Sequence, residues 1–156
     1  MYMMIRTCVT CVIIHIFFHV VYLLFHDQSV LPRTKLPDNV IATTDAKVAL
    51  LGADYCLHAV PVQFSLSFLE GIADYVDPGL PFVSLSKGLE LNTLRMMSQI
   101  IPRALKNPRQ PFIVLLCPSF ALELMNELPT AMVVASKDKK LANAVQQLLA
   151  SKSFKN

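Results

Sequence analysis

The chain has 156 residues, enough for one domain with a substantial core and too few for two complete ones. Its formal charge of +3 is scattered along the chain, without the clustered, aromatic-interleaved basic patch of a nucleic-acid binder. Four cysteines include one C-x-x-C, Cys8 and Cys11, but no second Cys/His pair stands at zinc-ligand spacing, so no metal site is expected.

The composition is 54% hydrophobic and 16% charged, and the apolar excess is local. Residues 8–25 carry no formally charged side chain. As a helix they would rise about 27 Å against a hydrocarbon core of roughly 30 Å, which makes them a candidate membrane span. Arg6 before them and Arg33 and Lys35 after them leave the orientation open. His15 and His19 would share one helix face, but no third ligand lies nearby, and Cys8 and Cys11 sit inside the same apolar run. Residues 20–25 are rich in β-formers and read equally as a buried strand. No small-residue cleavage site follows Phe25, and the many Arg and Ser of a transit peptide are missing. Pro32, Arg33, Thr34, Lys35 and Pro37 end the run and divide an N-terminal segment, residues 1–35, from a domain over residues 36–156.

From residue 36 onward, short apolar runs alternate with helix-period segments. The runs at 40–43, 55–60, 82–85, 112–116 and 131–135 are nearly continuous, the pattern of strands covered on both faces. Helices are expected at 46–51, 64–76, 92–105, 119–126 and 137–149. Thr44 and Asp45 offer an N-cap for the first of these and Ser136 for the last. In the last helix Leu141, Val145, Leu148 and Leu149 share a face, opposite Lys139, Lys140 and Gln146. Five βα-like units predict an α/β fold: a partial doubly wound, Rossmann-like, mostly parallel sheet preceded by an apolar N-terminal helix. Ligands of such sheets sit beyond the carboxyl ends of the strands.

Three strand-end loops therefore carry the candidate chemistry. In residues 60–64, Pro61 fixes a turn and Phe64 opens the next helix, where it could flank a flat ring or simply join the core. In residues 84–90, Lys87 would project an ammonium into the crevice, with Gly88 allowing close backbone approach. Such a cation stabilises the alkoxide that develops when hydride reduces a ketone, although a solvated surface lysine would look the same. In residues 117–121, Pro118 and the N–H groups beyond it form a candidate anion seat, and Ser119 either caps a helix or touches a substrate.

In this order, LPDNVIATTDA (36–46), GADYCLHAVPVQF (52–64), PFVSLSKGLELNTLRMMSQIIP (81–102) and CPSFALELMNELPTAMVVASKD (117–138) resemble NAD-dependent glycerol-3-phosphate dehydrogenase, its plant forms above all. The resemblance covers about three quarters of the chain, and the SKGLE and PSFA blocks at their spacing are specific to that family. It implies an NAD-binding domain and the interconversion of glycerol 3-phosphate and dihydroxyacetone phosphate with NAD(H). It also implies that Lys87 lies near both nicotinamide and substrate as a supporting catalytic group, and that Phe64 and Ala121 contact the cofactor. Cys117 and Ser119 would line the substrate. A homo-oligomer in cytoplasm or plastid is within the same expectation.

The departures are as informative. The family opens on a strand and a G-x-G-x-x-G-type turn that seats the pyrophosphate. Here the four glycines stand at 52, 71, 79 and 88, with no G-x-G, and the apolar N-terminus takes that unit's place. The family's second domain, with its principal catalytic lysine in G-A-L-K-N, has no counterpart before Asn156. Cys117 stands where the family has glycine, a change that costs on the order of 1 kcal/mol or more if the backbone there is left-handed. The chain is thus expected to be an inactive fragment by itself. A membrane-anchored, non-catalytic module that pairs with full-length subunits is the alternative.

Overall fold

The computed structural model describes residues 2–5, 40–116, 130–149 and 154–155. Its centre is a four-stranded sheet. We label the elements in chain order: β1 (Tyr2–Ile5), β2 (Val40–Thr43), α1 (Ala46–Leu50), β3 (Cys56–His58), α2 (Val62–Ile72), a 3-10 turn (Ala73–Tyr75), β4 (Phe82–Ser84), α3 (Met97–Ala104), β5 (Phe112–Leu116), β6 (Thr130–Ala131), β7 (Val133–Ala135), α4 (Lys139–Leu149) and β8 (Phe154–Lys155).

β3, β4 and β5 run parallel in that spatial order, with Cys56 opposite Phe82 and Phe82 opposite Phe112. Because side chains alternate across a strand, one residue of register separates two cores. Phe82, with Cys56 and Phe112 packed alongside, faces Leu69 and Ile72 of α2 and Ile100, Ile101 and Ala104 of α3. Val83, Ile113 and Leu115 face the opposite way, toward Val145 and Leu149 of α4. All three residues of β4 are buried, as a strand covered on both faces requires. The α/β expectation, with helices on both faces of a largely parallel sheet, is thereby met.

Two strand pairings depart from it. β7 joins β5 antiparallel, Val114 opposite Ala135. β2 lies outside the central sheet and pairs antiparallel with β1, Ile5 opposite Val40. Apolar content marks a residue run as a strand but carries neither its direction nor its neighbour. The apolar helix expected over residues 8–25 lies outside the described residues, as do His15, His19, Cys8 and Cys11. No described helix is long and apolar enough to cross a membrane.

Helix starts follow side-chain chemistry. The Asp45 carboxylate accepts from the N–H groups of Lys47 at 2.8 Å and Val48 at 3.4 Å, the cap expected for α1. α4 is capped by Asp138, which accepts from Lys140 at 2.8 Å and Leu141 at 3.2 Å. The expected cap, Ser136, lies too early: its hydroxyl donates to the Phe112 carbonyl at 3.0 Å and accepts from the Asp138 N–H at 3.1 Å, ahead of the helix that starts at Lys139. The predicted helix over 92–105 begins only at Met97, because residues 90–95 close into a turn of their own. The helix predicted over 119–126 lies outside the described residues.

Candidate functional site

The carboxyl ends of β3 and β4 point the same way, so the turns that follow them lie side by side. After β3, Pro61 at φ −53 and ψ 140 stands at the head of α2, where its missing N–H costs no helical hydrogen bond. Phe64 lies in the first turn of α2 and is 64% exposed, so it belongs to the rim and not to the core. After β4 comes the turn bearing Lys87, which is exposed. Gly88 follows at φ 93, and nothing lies within 4 Å of where a Cβ would be. A side chain here would be strained by the backbone alone.

The two turns are tied together. The Leu85 N–H donates to the His58 carbonyl at 3.1 Å, extending the parallel ladder one step beyond the strands. The Ser86 hydroxyl donates to the Val60 carbonyl at 2.5 Å. On the far side of Lys87, the Gln63 amide donates to the Leu89 carbonyl at 3.3 Å and accepts from the Leu91 N–H at 2.9 Å. Beyond that point Glu90 organises the chain. Its carboxylate accepts from the Asn92 N–H at 3.0 Å and from both the N–H and hydroxyl of Thr93 at 2.6 Å. The Thr93 hydroxyl first, then the Asn92 N–H, hold this carboxyl below the usual range. The loop closes with Leu94, at φ 52, donating to the Glu90 carbonyl at 2.7 Å.

Beneath the rim lies a small polar layer. His58 is buried, and its Nε2 stands 2.9 Å from the Ser65 hydroxyl. That hydroxyl is 3.2 Å from the carbonyls of both Val60 and Pro61 and donates to them. His58 must then donate through Nε2–H to the remaining lone pair of Ser65. Burial lowers the His58 pKa to about 4 and leaves the ring neutral near pH 7. Burial also pushes the Cys56 thiol up to about 12, which makes it an inert core group packed against the first cluster although the residue keeps intermediate exposure.

Ser84, opposite His58, is fully buried, and its hydroxyl has no hydrogen-bond partner among the described residues. A buried hydroxyl without a partner costs free energy that a methyl group does not. Ser84→Ala is therefore expected to be neutral or stabilising by up to about 1 kcal/mol. Urea unfolding checks this, and a loss of similar size would mean that the hydroxyl is bonded.

Of the residues singled out from the sequence, Phe64 and Lys87 are brought to neighbouring turns of one rim. Cys117, Ser119 and Ala121 lie outside the described residues. Sequence reasoning missed Gln63, Ser86 and Glu90. Glu90 left a local signal, an acidic residue two and three positions before Asn92 and Thr93 that can take their N–H groups. Gln63 and Ser86 left none, since each contact spans 26 residues or more. Among the described residues no group of three or more His, Cys, Asp or Glu could hold a metal.

An exposed aromatic residue, an exposed lysine and a glycine with open space at its Cβ position thus share one edge of the sheet. The sequence contains no G-x-G.

Known proteins share this sequence and this fold. A family model of the NAD-dependent glycerol-3-phosphate dehydrogenase N-terminus matches residues 25–142. The chloroplastic NAD(+) glycerol-3-phosphate dehydrogenase 2 of Arabidopsis thaliana is 86% identical over 126 residues, which make up 81% of this chain and 30% of that protein. The chloroplastic NAD(+) enzyme of Oryza sativa subsp. japonica is 77% identical over 121 residues, 78% of this chain and 28% of that protein. Among solved structures, DsGPDH of Dunaliella salina superposes with a TM-score of 0.71 at 26% identity, over 86% of this chain and 24% of that one. The chain thus spans less than a third of each of these three proteins.

Proposed function

Because this chain belongs to the NAD-dependent glycerol-3-phosphate dehydrogenase family, we propose that the rim formed by the Phe64 and Lys87 turns receives the nicotinamide end of NAD(H). On this reading the site serves the interconversion of glycerol 3-phosphate and dihydroxyacetone phosphate, a reaction of the whole enzyme. The observation that carries it is the cross-linking of the two turns at the carboxyl edge of parallel β3 and β4, where open α/β sheets bind ligands.

Bound NAD(H) would supply or accept the hydride. The chain's own residues have simpler tasks. Phe64 would flank the nicotinamide ring, and Gly88 would let the backbone approach without a side chain in the way. Lys87 would present its ammonium to the substrate oxygen, which gains negative charge when the carbonyl carbon is reduced. Cys117 and Ser119 at the substrate and Ala121 at the cofactor complete the reading. Residence in a plastid is part of the same proposal, supported by the two chloroplastic plant relatives. So is assembly into a homo-oligomer, which light scattering would test.

NADH titrated into the labelled 156-residue chain is expected to shift the resonances of Phe64, Lys87 and Gly88 selectively. The affinity should be weak, in the millimolar range, because no glycine cradle holds the pyrophosphate. Lys87→Ala should reduce these shifts while leaving those of the α4 residues untouched. Micromolar affinity, or shifts spread away from the rim, would contradict the reading.

A further inference from the structure

We propose that Gln63 is a positioning residue whose side chain holds the Lys87 turn against the head of α2. The inference rests on the reading of Lys87 given above and names a residue that the reading does not use.

The geometry is a bracket. Lys87 and Gly88 are the two residues between Ser86, tied to the Val60 carbonyl, and Leu89, tied to Gln63. Gln63 makes the tie twice, donating to the Leu89 carbonyl and accepting from the Leu91 N–H. One amide is suited to this task because it carries a donor and an acceptor on the same planar group. Both anchors lie in the turn between β3 and α2 or just inside α2, next to Phe64. The element that carries the ring therefore also fixes the element that carries the ammonium.

The loop needs such support. Its outward side chains are apolar and exposed, Leu91 and Leu94 among them, so they contribute little burial to hold it. Gly88, with its positive φ, adds freedom where the ammonium must be held. Glu90 orders the distal turn, residues 90–95, through Asn92, Thr93 and Leu94. Without Gln63 that turn would remain folded but move as a body, leaving Lys87 and Gly88 tethered at the Ser86 end but not at the Leu89 end.

Gln63→Met keeps the length and helix tolerance of the side chain and removes both polar contacts. In the labelled chain this variant is expected to speed hydrogen exchange at the Leu91 amide on the order of tenfold. It should also lower the 15N order parameters of Lys87 and Gly88 from a rigid value of about 0.8 to below about 0.6. Amide protection at Leu69, deep in α2, should not change. Ser86→Ala should loosen Lys87 from the other side, with Leu91 protected as before.

Unaltered Leu91 protection in Gln63→Met would show that the clamp does not form. Lost Leu91 protection with a rigid Lys87 would show that the clamp does not position the lysine. Either result overturns the proposal. Should Gln63→Met fail to fold, judged by Leu69 exchange, Gln63→Ala carries the same readouts. NADH added to the same samples separates the two ideas: a chain that shows the Gln63 effect but no shift at Phe64 or Lys87 retains the bracket and refutes the nicotinamide site.

Discussion

Phe82→Ala is expected to remove about 4 kcal/mol of folding stability, a large part of what a domain of this size possesses. Phe82 is 0% exposed and opens the middle of the three parallel strands, opposite both Cys56 and Phe112. Its ring fills the space between the sheet and the layer made by α2 and α3. Alanine would forfeit the transfer free energy of the ring and leave a cavity that neighbours on two strands and two helices can only partly fill. The urea midpoint should fall with little change in slope, while Val133→Ala, on an exposed strand position, should stay within about 0.5 kcal/mol of the parent chain. A Phe82→Ala variant within 1 kcal/mol of the parent would show that this layer is not the core. The effect bears on function because β4 ends where the Lys87 turn begins.

The second large effect is acid destabilisation through His58. Its folded pKa of about 4 lies below the ordinary 6.5, because burial disfavours the charged ring. Above pH 6.5 both folded and unfolded chains hold His58 neutral, and its contribution to stability is complete. As pH falls through 6.5 the unfolded chain takes up a proton that the folded chain refuses until about pH 4, so stability drains across that window. The total loss is about 3 kcal/mol. Protonation would also leave a charge beside Ser65 and the Phe68 ring, whose centroid is 5.8 Å from that of His58.

His58→Leu is expected to flatten the profile between pH 6.5 and 4, since Ser65 keeps the Val60 and Pro61 carbonyls as acceptors. Glu90, whose folded pKa is also lowered, acts in a different window. Its contribution is present above the unfolded carboxyl range and is lost as pH falls below it. Urea unfolding at half-unit pH steps separates the two. An unchanged slope between pH 6.5 and 4 in His58→Leu would remove His58 from the account.

Much of the fold was legible because burial on both faces leaves a mark that composition alone can carry. The runs at 40–43 and 112–116 are strands at those bounds, and the apolar stripe of the last helix does meet the sheet through Val145 and Leu149. Local chemistry could be read where it had no competitor, as at Asp45. It misled where a distant group intervened. Ser136 has the right side chain for a cap, but its hydroxyl, held by the Phe112 carbonyl 24 residues away in sequence, accepts from the Asp138 N–H before the helix begins, and the cap falls to Asp138. Residues 92–95 have helical periodicity, but Leu94 takes a left-handed φ of 52 and the chain closes on itself between Glu90 and Arg95, which a continuous helix does not admit.

The candidate site divides in the same way. Phe64 and Lys87 stand out in the sequence because a strand end followed by a turn exposes whatever the turn carries, and the SKGLE block names the family. That they share one rim follows from the parallel register of β3 and β4, and that they are locked together follows from Gln63 and Ser86. By itself the sequence determined where the central strands and the last helix lie and which faces are apolar, since these rest on neighbours in the chain and on periodicity, while its SKGLE and PSFA blocks carried the resemblance to the family. Only the tertiary structure decided strand direction, the neutral buried His58 and the bracket around Lys87. Each of these depends on which groups, far apart in sequence, come within hydrogen-bond distance once water is excluded.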